Sequence, residues 1–293
     1  MEDSIKMPEV NAYYDDDTNT ISYLVVDPET KCCAVIDSVL NFNYAAGTIA
    51  YQQADQIIAD ISASGLTLQW LIETHVHADH LSAAPYIQQK SGGDIIICKD
   101  ITKVQDIFGK VFNAGTEFER DGSQFDRLLS DGDSYMIGNI SARAIHTPGH
   151  TPACMAHVIG DAVFVGDTLF MPDGGTARAD FPGGDARTLY RSIHKILALP
   201  ETYRIFVCHD YQPGGREVQW QTSVKEQREH NIHIANHVSE DAFVATREAR
   251  DATLNMPKLI MPSIQVNMRA GHMPDAEDNG DTYLKVPLSG LRT

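Results

Sequence analysis

The sequence predicts an α/β sandwich, with sheets inside and helices on the two outer faces. Three observations carry this. Strands alternate with helices early in the chain, short strands form a meander in the middle, and polar clusters fall repeatedly at strand ends, where such folds place their ligands.

Residues 20–26 and 33–38 are short apolar runs split by a polar turn at 27–31, which reads as a β-hairpin. Ile57, Ile58 and Ile61 at helical spacing predict a helix over 52–63, and Gly65 makes its C-terminal stop. Residues 68–73 form a strand, with the polar cluster beginning at Thr74 at its carboxyl end. The same grammar repeats. A helix over 81–90 stops at Ser91-Gly92-Gly93, residues 94–98 form a buried strand, and another helix covers about 102–112. After a polar loop to about residue 130, strands are expected at 134–138, 141–146, 154–159 and 162–165. A helix over 186–199 precedes a strand at 204–208, and helices near 217–230 and 239–252 lead into an irregular, Pro-containing tail.

At 293 residues the chain is long enough for one large two-layer domain or two ordinary ones. It carries no internal repeat and no long low-complexity linker. It therefore reads as a single domain over 1–293, with a core of about 10–235 and a C-terminal extension over 236–293 packing on it. A formal net charge of -17 argues against a nucleic-acid partner and against docking on anionic lipid, since both select basic surfaces. The acidic stretches Asp15-Asp16-Asp17 and 275–281 read as solvated surface. No apolar run is long enough to cross a bilayer, and Met1-Glu2-Asp3-Ser4 lacks the basic and apolar regions of a signal peptide. Cys32, Cys33, Cys98, Cys154 and Cys208 show no zinc-finger or CxxC spacing. They read as buried thiols in a reducing compartment, which places the protein in the cytoplasm.

The chemistry concentrates in Thr74-His75-Val76-His77-Ala78-Asp79-His80. Histidine and carboxylate together are natural ligands for zinc or iron, and a loop leaving a buried strand can turn several of them towards one point. Three further clusters follow strands. In Thr147-Pro148-Gly149-His150-Thr151 a Pro-Gly turn aims His150. In Val165-Gly166-Asp167-Thr168 a glycine permits close backbone approach before a carboxylate. Val207-Cys208-His209-Asp210-Tyr211 is the last of them. A lone histidine is more often a satisfied core or surface group; four strand-end clusters in this order are hard to explain that way.

These residues resemble the metallo-β-lactamase superfamily, in which HxHxDH, a glycine-preceded His, a glycine-preceded Asp and a late His converge between two αβ halves. His75, His77, Asp79, His80, His150, Asp167 and His209 fill all the positions. The resemblance implies an αββα sandwich of two mixed sheets with helices on both outer faces.

Within that superfamily the chain is most similar to the persulfide (sulfur) dioxygenases, from the hairpin near residue 20 to about residue 272. Gly175 to Phe181 looks like that family's G-R-T-D-F segment, and residues 188–193, His209-Asp210-Tyr211 and Asn267-Met268-Arg269-Ala270-Gly271 match further motifs. The resemblance implies a single iron(II) held by His75, His150 and Asp167, the two-histidine, one-carboxylate set of non-haem iron oxygenases. It makes His77, Asp79, His80 and His209 groups that orient ligands and bound water. The partners implied are a small-molecule persulfide, glutathione persulfide above all, and O2, with sulfite and glutathione as products. Whether the chain assembles as a homo-oligomer, such as a dimer, stays open. An anionic substrate needs local positive charge on so acidic a protein. Arg178, which matches the family's arginine, and Arg269 are candidate substrate residues, whereas Arg216 and Lys225 read as surface ion pairs. Tyr211 is either a hydrogen-bond donor to the ligand or a buried, satisfied tyrosine. Ala270 stands where the family often carries cysteine, and Ala177 and Ala179 depart from G-R-T-D-F.

Residue identity leaves the metal count open. The same residues can hold two zinc ions, with Asp167 bridging, and such a centre favours hydrolysis of a thioester or lactone. Glyoxalase II enzymes share much of this set, usually with a larger substrate-binding helical extension. A third reading is a non-catalytic metal or sulfide sensor on the same fold, in which lost ligands would be expected; none is missing here.

Overall fold

The computed structural model describes residues 6–235 and 237–291; the reading of Met1 to Ser4, and the extension's Asn236, Arg292 and Thr293, lie outside the described residues. The chain opens with β1 (Glu9–Asp15), β2 (Thr20–Val26), β3 (Cys32–Ile36), β4 (Val39–Asn43) and β5 (Thr48–Ala50). Then come α1 (Gln52–Ala63), β6 (Thr67–Ile72), β7 (Leu81–Ser82), α2 (Ala84–Ser91), β8 (Asp94–Cys98) and α3 (Ile101–Val111). The meander is β9 (Arg127–Leu129), β10 (Ser134–Ile137), β11 (Ile140–His146), β12 (Met155–Ile159) and β13 (Ala162–Phe164). The remainder is α4 (Ala186–Leu197), β14 (Arg204–Phe206), β15 (Gln221–Ser223), α5 (Val224–His230), α6 (Glu240–Asp251) and α7 (Ile260–Asn267).

One mixed sheet runs β1-β2-β3-β6-β8-β9 and a second runs β10 to β15 in sequence order, while β5-β4-β7 form a small third sheet. In the first sheet β3, β6, β8 and β9 pair in parallel; in the second only β13 and β14 do. β2 is buried at every position, as a near-continuous apolar strand must be when both sheet faces are covered. Between the sheets, Tyr23 meets Phe164 and Phe206 edge-on at 5.2 and 5.6 Å. Outside the second sheet, Leu189, Ile193, Ile196 and Leu197 form the buried stripe of α4. Asp185 starts that helix by accepting the Thr188 backbone N–H at 2.7 Å. Phe243 of α6 covers it, 5.5 Å from Tyr190. This is the expected sandwich, with helices on both outer faces.

The sheets are stapled together at one edge. Ile21 N–H donates to Cys208 O at 2.7 Å, and Met155 N–H donates to Thr74 O at 2.9 Å. Tyr23 Oη donates to Val207 O from the other sheet. The carboxyl ends of β6, β11, β13 and β14 therefore meet, and the four polar clusters emerge together.

Several boundaries differ from expectation. β1, β4 and β5 fall in segments given no assignment from the sequence, β9 falls in the loop expected to reach about residue 130, and α7 lies in the tail expected to be irregular. The helix expected over 81–90 begins later, because Leu81 and Ser82 pair with Leu40 and Val39. The helix expected over 217–230 is cut to α5, because residues 221–223 add to β14 as an edge strand. Among the described residues no helix is long and apolar enough to cross a membrane.

Ile193 is fully buried on the inner face of α4. Ile193→Ala should lower unfolding free energy by roughly 2–5 kcal/mol, measured by urea denaturation. An unchanged midpoint would mean that this stripe does not hold α4 to the sheet.

Candidate metal centre

The centre is built on loops, each leaving the carboxyl end of a strand. The Asp167 loop is a single 3₁₀ turn over Gly166–Thr168. Gly166 has φ +51, and a Cβ there would lie 2.7 Å from Thr74 Oγ1, so only glycine lets this turn approach the neighbouring loop. Gly149, at φ +133, lies so close to the Leu189 backbone that a side chain would collide with α4.

All seven expected residues come together. His75 Nε2 and His150 Nε2 face the same oxygen, Asp167 Oδ2, at 3.8 and 3.5 Å. His209 Nε2 faces the other oxygen, Oδ1, at 3.3 Å, and faces Asp79 Oδ2 at 3.4 Å. His75, His150 and Asp167 form one group with ligating atoms within 4.8 Å of one another; His77, Asp79 and His80 form a second.

Each imidazole has one nitrogen engaged by the protein, leaving the other for the centre. His75 Nδ1 contacts Thr74 Oγ1 at 3.0 Å, and since that hydroxyl donates to Asp37, the ring must be the donor. His150 Nδ1–H donates to the Arg178 carbonyl at 2.8 Å, His77 Nε2–H to Asp37 at 2.9 Å and His209 Nδ1–H to the Asn19 carbonyl at 3.2 Å. His80 Nδ1 lies 3.3 Å from Asp79. Among the described residues, His75 Nε2, His77 Nδ1, His80 Nε2, His209 Nε2 and Asp167 Oδ1 are buried without a hydrogen-bond partner. Buried polar atoms left this way are unfavourable unless something fills the space between them. The donor set of imidazole and carboxylate, with ring orientation fixed from behind, suits a metal ion.

Electrostatics agree. Burial, with His77 and His150 alongside, holds His75 well below the usual imidazole range, and burial likewise lowers His80, so both are neutral with free lone pairs. At His77 burial opposes charge, but Asp37 outweighs it and raises the ring to about 9. A cation at Nδ1 would take the place of that proton. Burial pushes Glu73, which accepts Ser82 Oγ–H, up to about 8, so it is protonated at neutral pH.

Two positioning residues were missed in the sequence. Asp37 accepts Thr74 N–H and Thr74 Oγ–H, both at 2.8 Å, besides the His77 ring. It ends β3 as the other polar groups end their strands, a signal lost when the hairpin was extended to residue 38. Asn267 donates to the carbonyls of His77 and His80 at 2.9 and 2.8 Å and accepts Ser82 N–H at 2.8 Å. It lay within the late motif, where Arg269 drew the functional reading instead.

The sandwich, its edge and this ligand order have a counterpart: residues 16–209 match the metallo-beta-lactamase superfamily. The chain belongs to that superfamily. It is 56% identical over 292 residues to a probable metallo-hydrolase of Burkholderia pseudomallei, covering 96% of this chain and 99% of that one. It is 48% identical over 271 residues to glyoxylase B2 of Dictyostelium discoideum, covering 92% and 93%. The mitochondrial persulfide dioxygenase ETHE1 of Homo sapiens is 32% identical over 257 residues, covering 86% and 84%. Among solved structures, ETHE1 from Myxococcus xanthus superposes with a TM-score of 0.72 at 26% identity, covering 90% of this chain and 100% of that one.

The expected substrate residues of this superfamily member are less uniform in placement. Tyr211 is 56% exposed, its ring stacked on His209 with centroids 5.9 Å apart, so it lies at the mouth of the centre and is no buried tyrosine. The Arg178 guanidinium is engaged by Asp180 at 2.6 and 2.8 Å and by the Asn255 carbonyl at 2.7 Å. Arg269 donates to Gln265 O and packs over the Phe118 ring at 4.2 Å. Among the described residues no hydrogen bond or ion pair joins Arg269 to the metal centre. Lys225 pairs with Glu229 at the surface, as expected, whereas Arg216 joins the exposed carboxylate of Asp173 to the buried one of Asp210.

Asp37→Asn should weaken metal binding about 10–100-fold, because an amide cannot accept from every donor that Asp37 now serves. Titration against a chromophoric chelator measures it, and wild-type affinity would remove Asp37 from the supporting role.

Proposed function

We propose that the protein is an iron(II)-dependent persulfide dioxygenase. It oxidises glutathione persulfide, or a similar low-molecular-weight persulfide, with O2 to sulfite in sulfide detoxification in the cytoplasm. The observation that carries this is the arrangement of His75 and His150 around one oxygen of Asp167. Two imidazoles and a carboxylate on one face leave open positions on the opposite side. The family relationship to ETHE1 supports the same reading.

His75, His150 and Asp167 would hold the iron. When bound, it supplies the redox chemistry that lets ground-state dioxygen react with a thiol sulfur. Both oxygen atoms go to the terminal sulfur of the persulfide. Hydrolysis of the S–S bond then takes one water and releases sulfite and the thiol. The other residues serve this in definite ways. Phe181 packs edge-on to His150 at 5.3 Å and Phe170 to His209 at 6.2 Å, keeping the reacting sulfur dry. The free nitrogens of His80 and His209 offer acceptors for the water used in hydrolysis. The Tyr211 hydroxyl at the mouth can donate to the persulfide's carrier. Arg178 can grip a substrate carboxylate by exchanging Asp180 for it.

A second reading has its own observation. Asp167 turns one oxygen to His75 and His150 and the other to His209, as a carboxylate bridging two ions would. With His77 completing the first site and Asp79 and His80 the second, this fits a dinuclear zinc hydrolase of the glyoxalase II or lactonase kind. The relationship to a probable metallo-hydrolase supports it. The singly loaded iron reading is preferred on the relationship to the persulfide dioxygenases alone.

Oxygen uptake by anaerobically purified, iron(II)-loaded protein given glutathione persulfide separates the two, with metal content assayed on the same sample. Rapid uptake with about one iron per chain is expected. Two zinc ions with thioester hydrolysis and no uptake would establish the hydrolase. Asp167→Ala should abolish metal binding on either reading; a fully loaded variant would overturn the site.

A further inference from the structure

We propose that Asp251 and Arg247, on α6, are positioning residues for the metal centre, acting on His150 through a single peptide group. The peptide between Arg178 and Ala179 has two ends, and both are used. Its carbonyl accepts the His150 Nδ1 proton at 2.8 Å. Its N–H, on the residue Ala179, donates to Asp251 Oδ2 at 2.9 Å. In a planar trans peptide the C=O and N–H point in opposite directions, so fixing one end fixes the other. The carboxylate of Asp251 therefore sets the plane, and the plane sets the ring.

Polarisation runs the same way. A negative charge at the N–H end increases the electron density at the carbonyl oxygen, which strengthens the hydrogen bond to His150 and makes its free Nε2 a better donor to a metal. A carboxylate directly behind a ligating histidine is a common support. Here the carboxylate acts one peptide further away.

Arg247 makes this possible. It is 2% exposed and Asp251 5%, so neither charge is solvated. Arg247 Nε and Nη2 donate to Asp251 Oδ1 at 2.9 and 2.7 Å, leaving Oδ2 for Ala179. Its Nη1 donates to the Thr176 carbonyl at 2.9 Å, and His233 Nδ1 accepts the Thr176 N–H at 3.0 Å, so the loop is held at both ends. Arg247, Asp251 and His233 lie beyond residues 16–209, the part matched to the superfamily, whereas the peptide and the histidine they support lie within it. The inference holds for iron or zinc alike.

The test is cobalt(II) affinity, measured by chelator competition together with the visible absorption of the bound ion. Replacing the pair by apolar side chains, Arg247→Met with Asp251→Leu, leaves no orphaned charge and is often tolerated in a core. Affinity should fall about 10–100-fold, and the cobalt bands should shift. Ile193→Ala serves as the comparison: it lowers stability on the same outer layer and should keep both affinity and spectrum. If the double variant does not fold, Asp251→Asn keeps the shape and removes the charge, and its affinity should still fall. Wild-type affinity and spectrum in a folded variant of either kind, or an equal loss in Ile193→Ala, would overturn the proposal.

Discussion

A carboxylate can be buried beneath a cluster of histidines only if donors fill its oxygens, because the desolvation of an unpaired charge is several kcal/mol or more. Asp37 meets that condition with the groups that build the metal centre. Burial disfavours its charge, yet His77 and Thr74 hold its carboxyl below the usual carboxylate range. The thiol of Cys208 lies 3.5 Å from it, on the loop that carries His209. Satisfying one charge thus orders the end of β3, the HxHxDH loop and the end of β14 together. Thr74 extends the effect, since its hydroxyl, fixed by Asp37, sets the tautomer of His75.

The remaining imidazoles follow the same rule with weaker partners. His150 and His209 lean on peptide carbonyls, and His80 on the carboxylate of its neighbour Asp79. A carbonyl lacks the charge of a carboxylate and depends on the orientation of its peptide. That is why the support of His150 extends outward to a buried ion pair on another helix. The centre is graded: anionic support behind His77 and His80, neutral support behind His75, His150 and His209.

The parts legible in the sequence were those written in side chains with a strong local signature. Strands such as residues 94–98 are long apolar runs, and α4 carries an apolar stripe, so both were placed within a few positions. The metal ligands were legible because each follows such a strand. What was missed had no local signature. Strands of two or three residues, such as Leu81–Ser82 and Thr48–Ala50, are too short to show a period. α7 is buried on nearly every side and shows no stripe. Arg178 is the clearest lesson, because its carbonyl supports His150 while its side chain pairs with Asp180, and a backbone role leaves no trace in residue identity.

The hydrogen bonds around the centre join positions far apart in the chain. Asn267 reaches His77 across 190 positions and His80 across 187, and His209 reaches Asn19 across 190. Contacts of such separation close large loops and form late, after local helices and neighbouring strands. A chain that has not docked α7 lacks the Asn267 bonds to the carbonyls of His77 and His80, so the loop carrying those histidines loses one of its supports. An ion held among these loops would join the same distant parts of the chain, so metal affinity and the stability of the closed fold are linked.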